Sequence, residues 1–326
     1  MISGHIAIVG CGLVGRAWAI VFARAGREVR LFDAAPGAAE AARRQIERDL
    51  ASLAQQGLID RPEPILARIA IAATLAQALD GAAYAQENVF ERLDIKKAVF
   101  AEIDRVIGSG TIVGSSSSGI PASAFTEGLR SQARYLVAHP VNPPYLIPVV
   151  ELVPAPWTAP ETVAEIRALM EAVGQVPVEM SREIEGFILN RLQAVLLMEA
   201  WRLVEEGYAS AEDVDRTVSH GLGMRWAFMG PFETIDLNAP GGVADYARRL
   251  GPLYQRIAAS RAQHKVWDEP LIAKVEAQRR AKLPADRLAE RGEWRDRRLM
   301  ALAIHKREAE REDEARAARD GGKAAP

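Results

Sequence analysis

The stretch Leu136–Pro154 carries two residue types that together can transfer a proton. It reads LVAHPVNPPYLIPVVELVP, so an apolar run leads to His139, prolines stiffen the turn, and a second apolar run leads to Glu151. Two strands would bring the imidazole and the carboxylate together as a general acid–base pair. The alternative is that His139 caps a strand and Glu151 is a surface charge at a strand end. The rest of the chain decides between these interpretations.

A glycine-rich loop, GCGLVG, follows a strand predicted at His5–Val9 and precedes an apolar helix. Each glycine has a physical reason in a dinucleotide site. Gly10 makes the sharp strand-to-helix turn, Gly12 lets the backbone approach a pyrophosphate, and Gly15 lets helix and strand pack closely. The free N–H groups at the helix N-terminus favour phosphate oxygens. The first residues therefore predict a dinucleotide-binding site.

Asp33 indicates which dinucleotide is bound. It lies at the end of the second predicted strand, 18 residues after Gly15, where a carboxylate accepts hydrogen bonds from the adenosine ribose. A carboxylate there repels a 2′-phosphate, so the sequence favours NAD over NADP. Arg30 is the one nearby residue that would suit NADP. A bound nicotinamide would give His139 and Glu151 a partner for redox chemistry.

Strand and helix patterns alternate through the first half of the chain and then give way to helices alone. The last strand candidate is Val176–Met180, and from Glu185 the pattern is helical almost to the end. This order predicts an α/β Rossmann-type dinucleotide-binding domain over residues 1–184. An all-α C-terminal substrate and dimerisation domain follows over residues 185–326. We predict that its charged tail is disordered from about residue 310.

Polar residues interrupt two apolar patterns at positions where ligands bind. The serine run Ser115–Ser118 follows a buried strand candidate, and the carboxyl ends of such strands face the ligand cleft of an α/β domain. A solvated loop is the alternative for the serines. Phe187–Val204 is predicted to be one long helix, buried on most sides. Asn190 lies inside it and needs a partner in the core or a ligand.

Residues 221–232 are rich in glycine and aromatic side chains and contain one cation, Arg225. Apolar, glycine-punctuated segments often wall a pocket, and an arginine there can hold a carboxylate in a bidentate grip. The alternative is that Arg225 pairs with a protein acid such as Glu233.

Composition excludes several classes of protein. The formal net charge is −2, whereas a nucleic-acid-binding surface needs a basic excess. The single cysteine cannot form an intrachain disulfide, which fits a reducing cytoplasm. We find no secretory signal, no window long enough for a membrane span, and no metal-ligand spacing. The sequence predicts a cytoplasmic protein without a metal site.

Five stretches together resemble the 3-hydroxyacyl-CoA dehydrogenase superfamily. Within it the chain is most similar to the λ-crystallin/L-gulonate 3-dehydrogenase branch, and the resemblance extends to about Leu302. The stretches are IVGCGLVGRAWA, AHPVNPPYLIPVVELVP, GFILNRLQ, EAWRLVEEG and GLGMRWAFMGPFETIDLNA. The resemblance implies NAD as cofactor and, together with the apolar helical domain, a homodimer.

The resemblance also implies roles for individual residues. Four residues surround the reacting carbon: Ser118, His139, Glu151 and Asn190. Ser117 is the alternative to Ser118. The cofactor contacts are Gly10, Gly12, Leu13, Val14, Gly15, Asp33, Glu91 and Lys96. The implied substrate contacts are Ser118 and Asn190, to which we add Arg225. Phe90 departs from the family, which usually has proline before the glutamate corresponding to Glu91.

These residues predict oxidation of a secondary alcohol. His139 takes the hydroxyl proton while hydride leaves for the nicotinamide, and Glu151 orients the imidazole. A CoA thioester needs basic residues for its phosphates, but Arg48 is the only base in residues 45–60, where similar acyl-CoA enzymes place contacts. Arg225 beside Trp226 suits a small, free 3-hydroxy carboxylate instead, such as L-gulonate. The alternatives are an L-3-hydroxyacyl-CoA such as 3-hydroxybutyryl-CoA, L-carnitine, and a non-catalytic, crystallin-like NAD-binding role.

Overall fold

The computed structural model describes residues 4–260 and 267–321. The chain forms two compact units, one comprising the residues up to Leu192 together with those from Arg295 onward, the other comprising Gln193–Trp294. This division differs from the predicted boundary near residue 184, because the first residues of the helix after that point bond to the first unit. The last helix also returns to the first unit.

The first unit is built on an eight-stranded sheet with the order β3-β2-β1-β4-β5-β6-β7-β8. Neighbouring strands are parallel except for β6 and β7, which are antiparallel. The predicted Rossmann-type α/β class is therefore confirmed. The strands are β1 His5–Val9, β2 Val29–Phe32, β3 Ile69–Ile71, β4 Ala82–Glu87, β5 Ile112–Ser115, β6 Tyr135–Pro140, β7 Val149–Pro154 and β8 Val176–Glu179.

Helices of the first unit cover both faces of this sheet. Successive strand residues such as Tyr135 and Leu136 enter two different apolar clusters, because side chains alternate between the faces of a strand. Trp18 and Phe22 stack in one cluster, and Phe100 belongs to the other. The helices are α1 Leu13–Arg24, α2 Ala38–Gln55, α3 Glu63–Leu66, α4 Leu75–Leu79, α5 Leu93–Val106, α6 Ser123–Thr126 and α7 Pro160–Ala172, with a 3₁₀ turn at Gln132–Arg134.

The predicted all-α second part is also confirmed. Its helices are α8 Leu189–Glu205, α9 Ala211–Thr217, α10 Gly223–Trp226, α11 Pro231–Leu237, α12 Gly242–Ser260, α13 Glu269–Lys282 and α14 Leu288–Gly321. This part also contains a π-helical turn, Val218–Leu222, and a 3₁₀ turn, Ala285–Arg287. None of the helices in the described ranges is long and apolar enough to cross a bilayer.

Helix α8 differs from the prediction in its start and in its burial. It begins at Leu189 rather than at Phe187, because Phe187 has a φ of +50° and interrupts helical geometry. It is not buried on most sides, since only Val204 of its residues is buried. Apolar side chains of α8 therefore face solvent in the single chain.

The C-terminal segment also differs from the prediction. Helix α14 continues to Gly321, whereas the sequence predicts a disordered tail from about residue 310, and the last five residues lie outside the described chain. Met300 anchors the helix because it is buried in a core cluster of the first unit. Beyond it, acids and bases such as Glu312 and Arg316 are spaced four residues apart, which stabilises an exposed helix.

Candidate active site

Two glycines of the GCGLVG loop are required by close packing within the protein. Gly10 has a φ of +89°, and a Cβ there would lie 2.9 Å from the backbone of Asn88. A Cβ on Gly15 would lie 2.0 Å from the carbonyl oxygen of Gly10. Since real Cβ atoms do not approach backbone so closely, only glycine lets the loop turn from β1 into α1.

Gly12 is different because no atom of the protein crowds it. A Cβ there would meet nothing within 4 Å, and its φ of −65° is open to any residue. It precedes α1, whose first N–H groups have no side-chain cap from Gly12. The open space next to Gly12, at the N-terminus of α1, is called the Gly12 cradle below. A side chain at position 12 would fill it, and the N–H groups beside it suit phosphate oxygens. Leu13 and Val14 follow it and are exposed and half-buried respectively.

Asp33 lies beside this cradle at the end of β2. Its Oδ2 accepts a hydrogen bond from the backbone N–H of Cys11 at 2.7 Å, and its Oδ1 accepts one from Ala35 at 2.9 Å. The carboxylate is thereby fixed where a ribose would lie in a Rossmann site. Burial, with the nearby Asp33 charge, raises the pKa of Cys11 to about 12, so the thiol is neutral and serves as a packed filler.

The predicted histidine–glutamate pair forms across the antiparallel strands β6 and β7. His139 and Glu151 are directly opposite in the register, and Nδ1 of His139 donates to Oε2 of Glu151 at 2.7 Å. Both residues are buried. The interpretation of His139 as a mere strand cap and Glu151 as a surface charge is therefore excluded.

Glu151 has two further donors at its other oxygen. The backbone N–H groups of Ile188 and Leu189 donate to Oε1 at 2.8 and 2.9 Å. Burial opposes ionisation, but the hydrogen bonds from His139 and from these two N–H groups outweigh it and lower the pKa of Glu151. The residue is therefore an ionised, buried carboxylate at neutral pH.

The serine loop after β5 separates Ser117 from Ser118. The Ser117 hydroxyl is buried. Its oxygen lies 2.7 Å from Glu91 Oε1 and 2.8 Å from the carbonyl oxygen of Ile120, so its one proton is shared between these two acceptors. The Ser118 side chain is exposed, and its hydroxyl has no hydrogen-bond partner in the described part of the chain. Ser118 is thus the serine whose hydroxyl is available to a ligand.

Glu91 holds this loop in place. Its Oε1 accepts backbone hydrogen bonds from Ser118, Gly119 and Ile120 at 3.0–3.2 Å. Burial raises its pKa, but the Ser117 hydroxyl, the charge of Lys96 and the backbone donors outweigh this effect and lower the pKa of Glu91. Glu91 therefore fixes the backbone of the loop that carries Ser118, and its contact with the cofactor stays a prediction.

Lys96 lies beneath the site rather than on its surface. Its side chain is 1% exposed, and its Nζ is 3.1 Å from Glu87 and 3.5 Å from Glu91. Glu87 is completely buried and also accepts from the Ser115 hydroxyl and from the backbone of Val89. Lys96 is thus a buried support for Glu91, and its contact with the cofactor stays a prediction.

Asn190 meets the same loop from α8. Its Nδ2 donates to the carbonyl oxygen of Ser118 at 2.5 Å. Parallel pairing of β5 with β6 brings Ser118 and His139 to the same edge of the sheet, because Ser115 is in register with Val137. The four predicted catalytic residues therefore converge at one edge.

Arg225 belongs to the second unit, on α10, and its side chain is exposed. Across the described chain it forms no ion pair with Glu233 or another acid, so the alternative of a protein partner has no support. Its role toward a carboxylate stays a prediction. No cluster of three His, Cys, Asp or Glu side chains within the described ranges is arranged to hold a metal ion.

A partly buried polar network at the carboxyl ends of β4 and β5 has no counterpart among the predicted site residues. The Ser116 hydroxyl accepts from the Trp18 indole at 3.1 Å and from the Gln86 amide at 2.7 Å, and donates to Asn88 at 2.7 Å. Gln86 also donates to the carbonyl oxygen of Ala138, next to His139. The sequence carries a signal for it, since the alanine-rich strand β4 ends in the polar residues Gln86 and Glu87 and is followed by Asn88.

The family is shown by two domain models that together match most of the chain. The model of the 3-hydroxyacyl-CoA dehydrogenase NAD-binding domain matches residues 5–184, and that of the C-terminal domain matches residues 186–282. The chain belongs to the 3-hydroxyacyl-CoA dehydrogenase family. Its cofactor is NAD, and the predicted enzyme class, an NAD-dependent dehydrogenase acting on a secondary hydroxyl, is confirmed.

Members of this family with different names are similar over nearly the whole chain. Rabbit (Oryctolagus cuniculus) lambda-crystallin is 43% identical over 94% of this chain and 97% of its own length. L-Carnitine dehydrogenase of Streptomyces coelicolor is 35% identical over 88% of this chain and 91% of its own length. The solved structure of an NAD+-dependent 5-formyl-3-hydroxy-2-methylpyridine 4-carboxylic acid 5-dehydrogenase superposes with a TM-score of 0.79 at 29% identity, covering 95% and 99% of the two chains.

The two kinds of glycine in the loop predict different effects of the same substitution. Gly12→Ala should fold normally and weaken NAD binding about tenfold or more, since its methyl group occupies the cradle. Gly15→Ala should instead destabilise the fold by about 1–3 kcal/mol, because its methyl group overlaps Gly10. Thermal unfolding and fluorescence titration with NADH separate the two effects. Equal NAD affinity in Gly12→Ala and wild type would show that the loop is not part of the cofactor site.

The lowered pKa of Glu151 predicts an acid-dependent part of the stability. Because the folded pKa lies below the unfolded value near 4.5, the stabilisation is complete above that pH and is lost as pH falls through the folded pKa. Glu151→Gln should cost about 1.5–3 kcal/mol at neutral pH, and the difference should shrink below pH 4.5. Urea denaturation over a pH series measures it, with Glu165→Gln, at an exposed position on α7, as control. A difference that stays constant into acid would contradict the assignment.

Proposed function

We propose that the protein oxidises the 3-hydroxyl group of a small, free 3-hydroxy carboxylate, with L-gulonate as the first candidate and 3-dehydro-L-gulonate as its product. The observation that carries this proposal is the buried His139–Glu151 pair at the sheet edge where Ser118 and Asn190 converge. NAD, when bound, supplies the hydride acceptor. The Gly12 cradle and Asp33 are the groups of this chain that would hold it.

His139 acts as general base in this proposal. Because its Nδ1 donates to Glu151, the neutral imidazole carries its lone pair on Nε2, which accepts the proton of the substrate hydroxyl. Glu151 stabilises the imidazolium that results, as a buried carboxylate does in other histidine–acid pairs. The two backbone N–H groups on its second oxygen keep the carboxylate in one orientation.

Ser118 and Asn190 position the substrate oxygen. The exposed Ser118 hydroxyl can donate to it, whereas the Ser117 hydroxyl is occupied by Glu91. The contact of Asn190 with the Ser118 carbonyl oxygen fixes the loop that presents this hydroxyl. Alignment of this kind makes proton and hydride transfer effectively unimolecular.

Several features favour a free carboxylate over a CoA ester. Residues 45–60 on and after α2 contain one base, Arg48, whose guanidinium is held by Gln45. Arg225 is an exposed cation with no acidic partner in the described part of the protein. Two relatives also carry names of carboxylate-bearing substrates, carnitine and a pyridine carboxylic acid. The alternatives are L-carnitine, a 3-hydroxyacyl-CoA, and a non-catalytic, crystallin-like role.

A substrate panel tests the proposal together with one variant. Wild type should form NADH with L-gulonate faster than with L-carnitine, 3-hydroxybutyrate or 3-hydroxybutyryl-CoA. His139→Gln should bind NAD normally and lose about 10²–10⁴ in turnover, the usual contribution of a general base. His220→Gln, at an exposed histidine of the second unit, is the matched control. Turnover of the CoA ester alone would overturn the substrate class, and retained turnover in His139→Gln would overturn the mechanism.

We also propose that the chain is a homodimer assembled through the second unit. On α8, Leu192, Val195 and Leu196 are 62%, 71% and 37% exposed, and their spacing of three and four residues places them on one face of the helix. A contiguous exposed apolar stripe of this kind marks an interaction surface. Sedimentation equilibrium should give twice the chain mass of 35.5 kDa. Val195→Glu should shift the mass toward one chain, whereas Val106→Glu, at an exposed valine of α5, should not. A wild-type monomer would contradict the proposal.

A cytoplasmic location is the last part of the proposal. The chain has one cysteine, Cys11, and its buried thiol has a pKa raised to about 12. Such a thiol takes no part in disulfide exchange, so nothing in the chain's chemistry calls for an oxidising compartment.

A further inference from the structure

Phe187 adopts a backbone conformation that aromatic residues rarely occupy. Its φ is +50°, and it is the one non-glycine residue with positive φ within residues 4–260 and 267–321. It follows Gly186, whose φ of +76° is ordinary for glycine. A Cβ makes this region unfavourable, so the surrounding structure must hold Phe187 there. Conformations of this kind gather at functional sites.

The turn at Phe187 directs two successive N–H groups at one atom. The N–H groups of Ile188 and Leu189, the two residues after it, both donate to Oε1 of Glu151. Successive N–H groups next to a left-handed residue form a concave arrangement that binds an anion. The left-handed turn thus directs the first N–H groups of α8 at the carboxylate. If Phe187 were helical, α8 would extend further back, and these N–H groups would point along the helix instead.

Burial of the Phe187 ring stabilises this turn. It is completely buried in the core cluster that contains Phe100 and Tyr135. Its centroid also lies 5.6 Å from that of the His139 imidazole, with 57° between the ring planes. One side chain therefore packs against the imidazole, while its own backbone directs the donors that fix the imidazole's carboxylate.

We propose that Phe187 is a positioning residue that holds His139 and Glu151 in one geometry from both sides. Its ring limits rotation of the imidazole, and its left-handed backbone keeps Ile188 and Leu189 on Glu151. The kinetic part of this inference rests on the proposed role of His139 as general base. Its structural part does not, because the hydrogen bond between His139 and Glu151 can be observed without a substrate.

The structural part is tested by proton NMR on the full-length chain. The Nδ1 proton of His139, held by a carboxylate, should give a protected low-field resonance that is assigned by its absence in His139→Gln. Phe187→Leu should lose or broaden that resonance. Phe100→Leu is the matched control, since it removes a completely buried phenylalanine of the same cluster without touching the imidazole. Phe187→Met retains more side-chain volume and replaces Phe187→Leu if the leucine variant does not fold.

The kinetic part is tested on whichever substrate of the panel turns over. Phe187→Leu should lower kcat about 10²-fold, with KM and NADH affinity nearly unchanged, because misplacement of a catalytic group by about 1 Å has that effect. Phe100→Leu should keep kcat and the NMR resonance. An intact resonance in the Phe187 variants, or equal losses in Phe100→Leu, would overturn the inference. Failure of the whole panel would count against the proposed function, while the NMR result would still decide this one.

Discussion

The carboxylate of Glu151 is the group on which the candidate site depends. A buried charge is tolerated only when hydrogen bonds replace the water it has lost. Glu151 receives three such bonds, one from His139 and two from the backbone at the start of α8. One donor comes from β6 and two come from the start of α8, so the charge on β7 ties these three elements together. The same bonds that stabilise the charge also orient the imidazole, which links the stability of this region directly to its chemistry.

A second carboxylate, that of Glu91, is also stabilised by hydrogen bonds that replace water. Glu91 accepts three backbone hydrogen bonds from the serine loop and lies over a buried ion pair between Lys96 and Glu87. Asn190 then joins this loop to α8. Two carboxylates, each satisfied mostly by backbone N–H groups, thus hold the loop and the histidine of the candidate site in place. In the described part of the chain, the Ser118 hydroxyl of this loop has no hydrogen-bond partner.

The cofactor loop is governed by close packing rather than by charge. Gly10 and Gly15 are required because backbone atoms leave no room for a Cβ, whereas Gly12 adjoins open space. The loop can therefore be rigid and still present an uncovered helix N-terminus to a phosphate. Asp33 completes it by bonding to the loop backbone while remaining at the end of β2, where a ribose is expected.

The sequence by itself determined the fold class, the cofactor loop and the His139–Glu151 pair, because strand periodicity and glycine spacing are local patterns that survive any packing. It also placed the serine run at the carboxyl end of a strand, and the resemblance to the family joined Asn190 to it. Only the tertiary structure decided which serine is free, that Lys96 lies beneath the site, and that Phe187 turns the chain before α8. The free serine and the turn at Phe187 depend on partners 26 to 38 residues away and on backbone strain held by the core. The burial of Lys96 depends on the strand ends that carry Glu87 and Ser115. No local pattern encodes these arrangements.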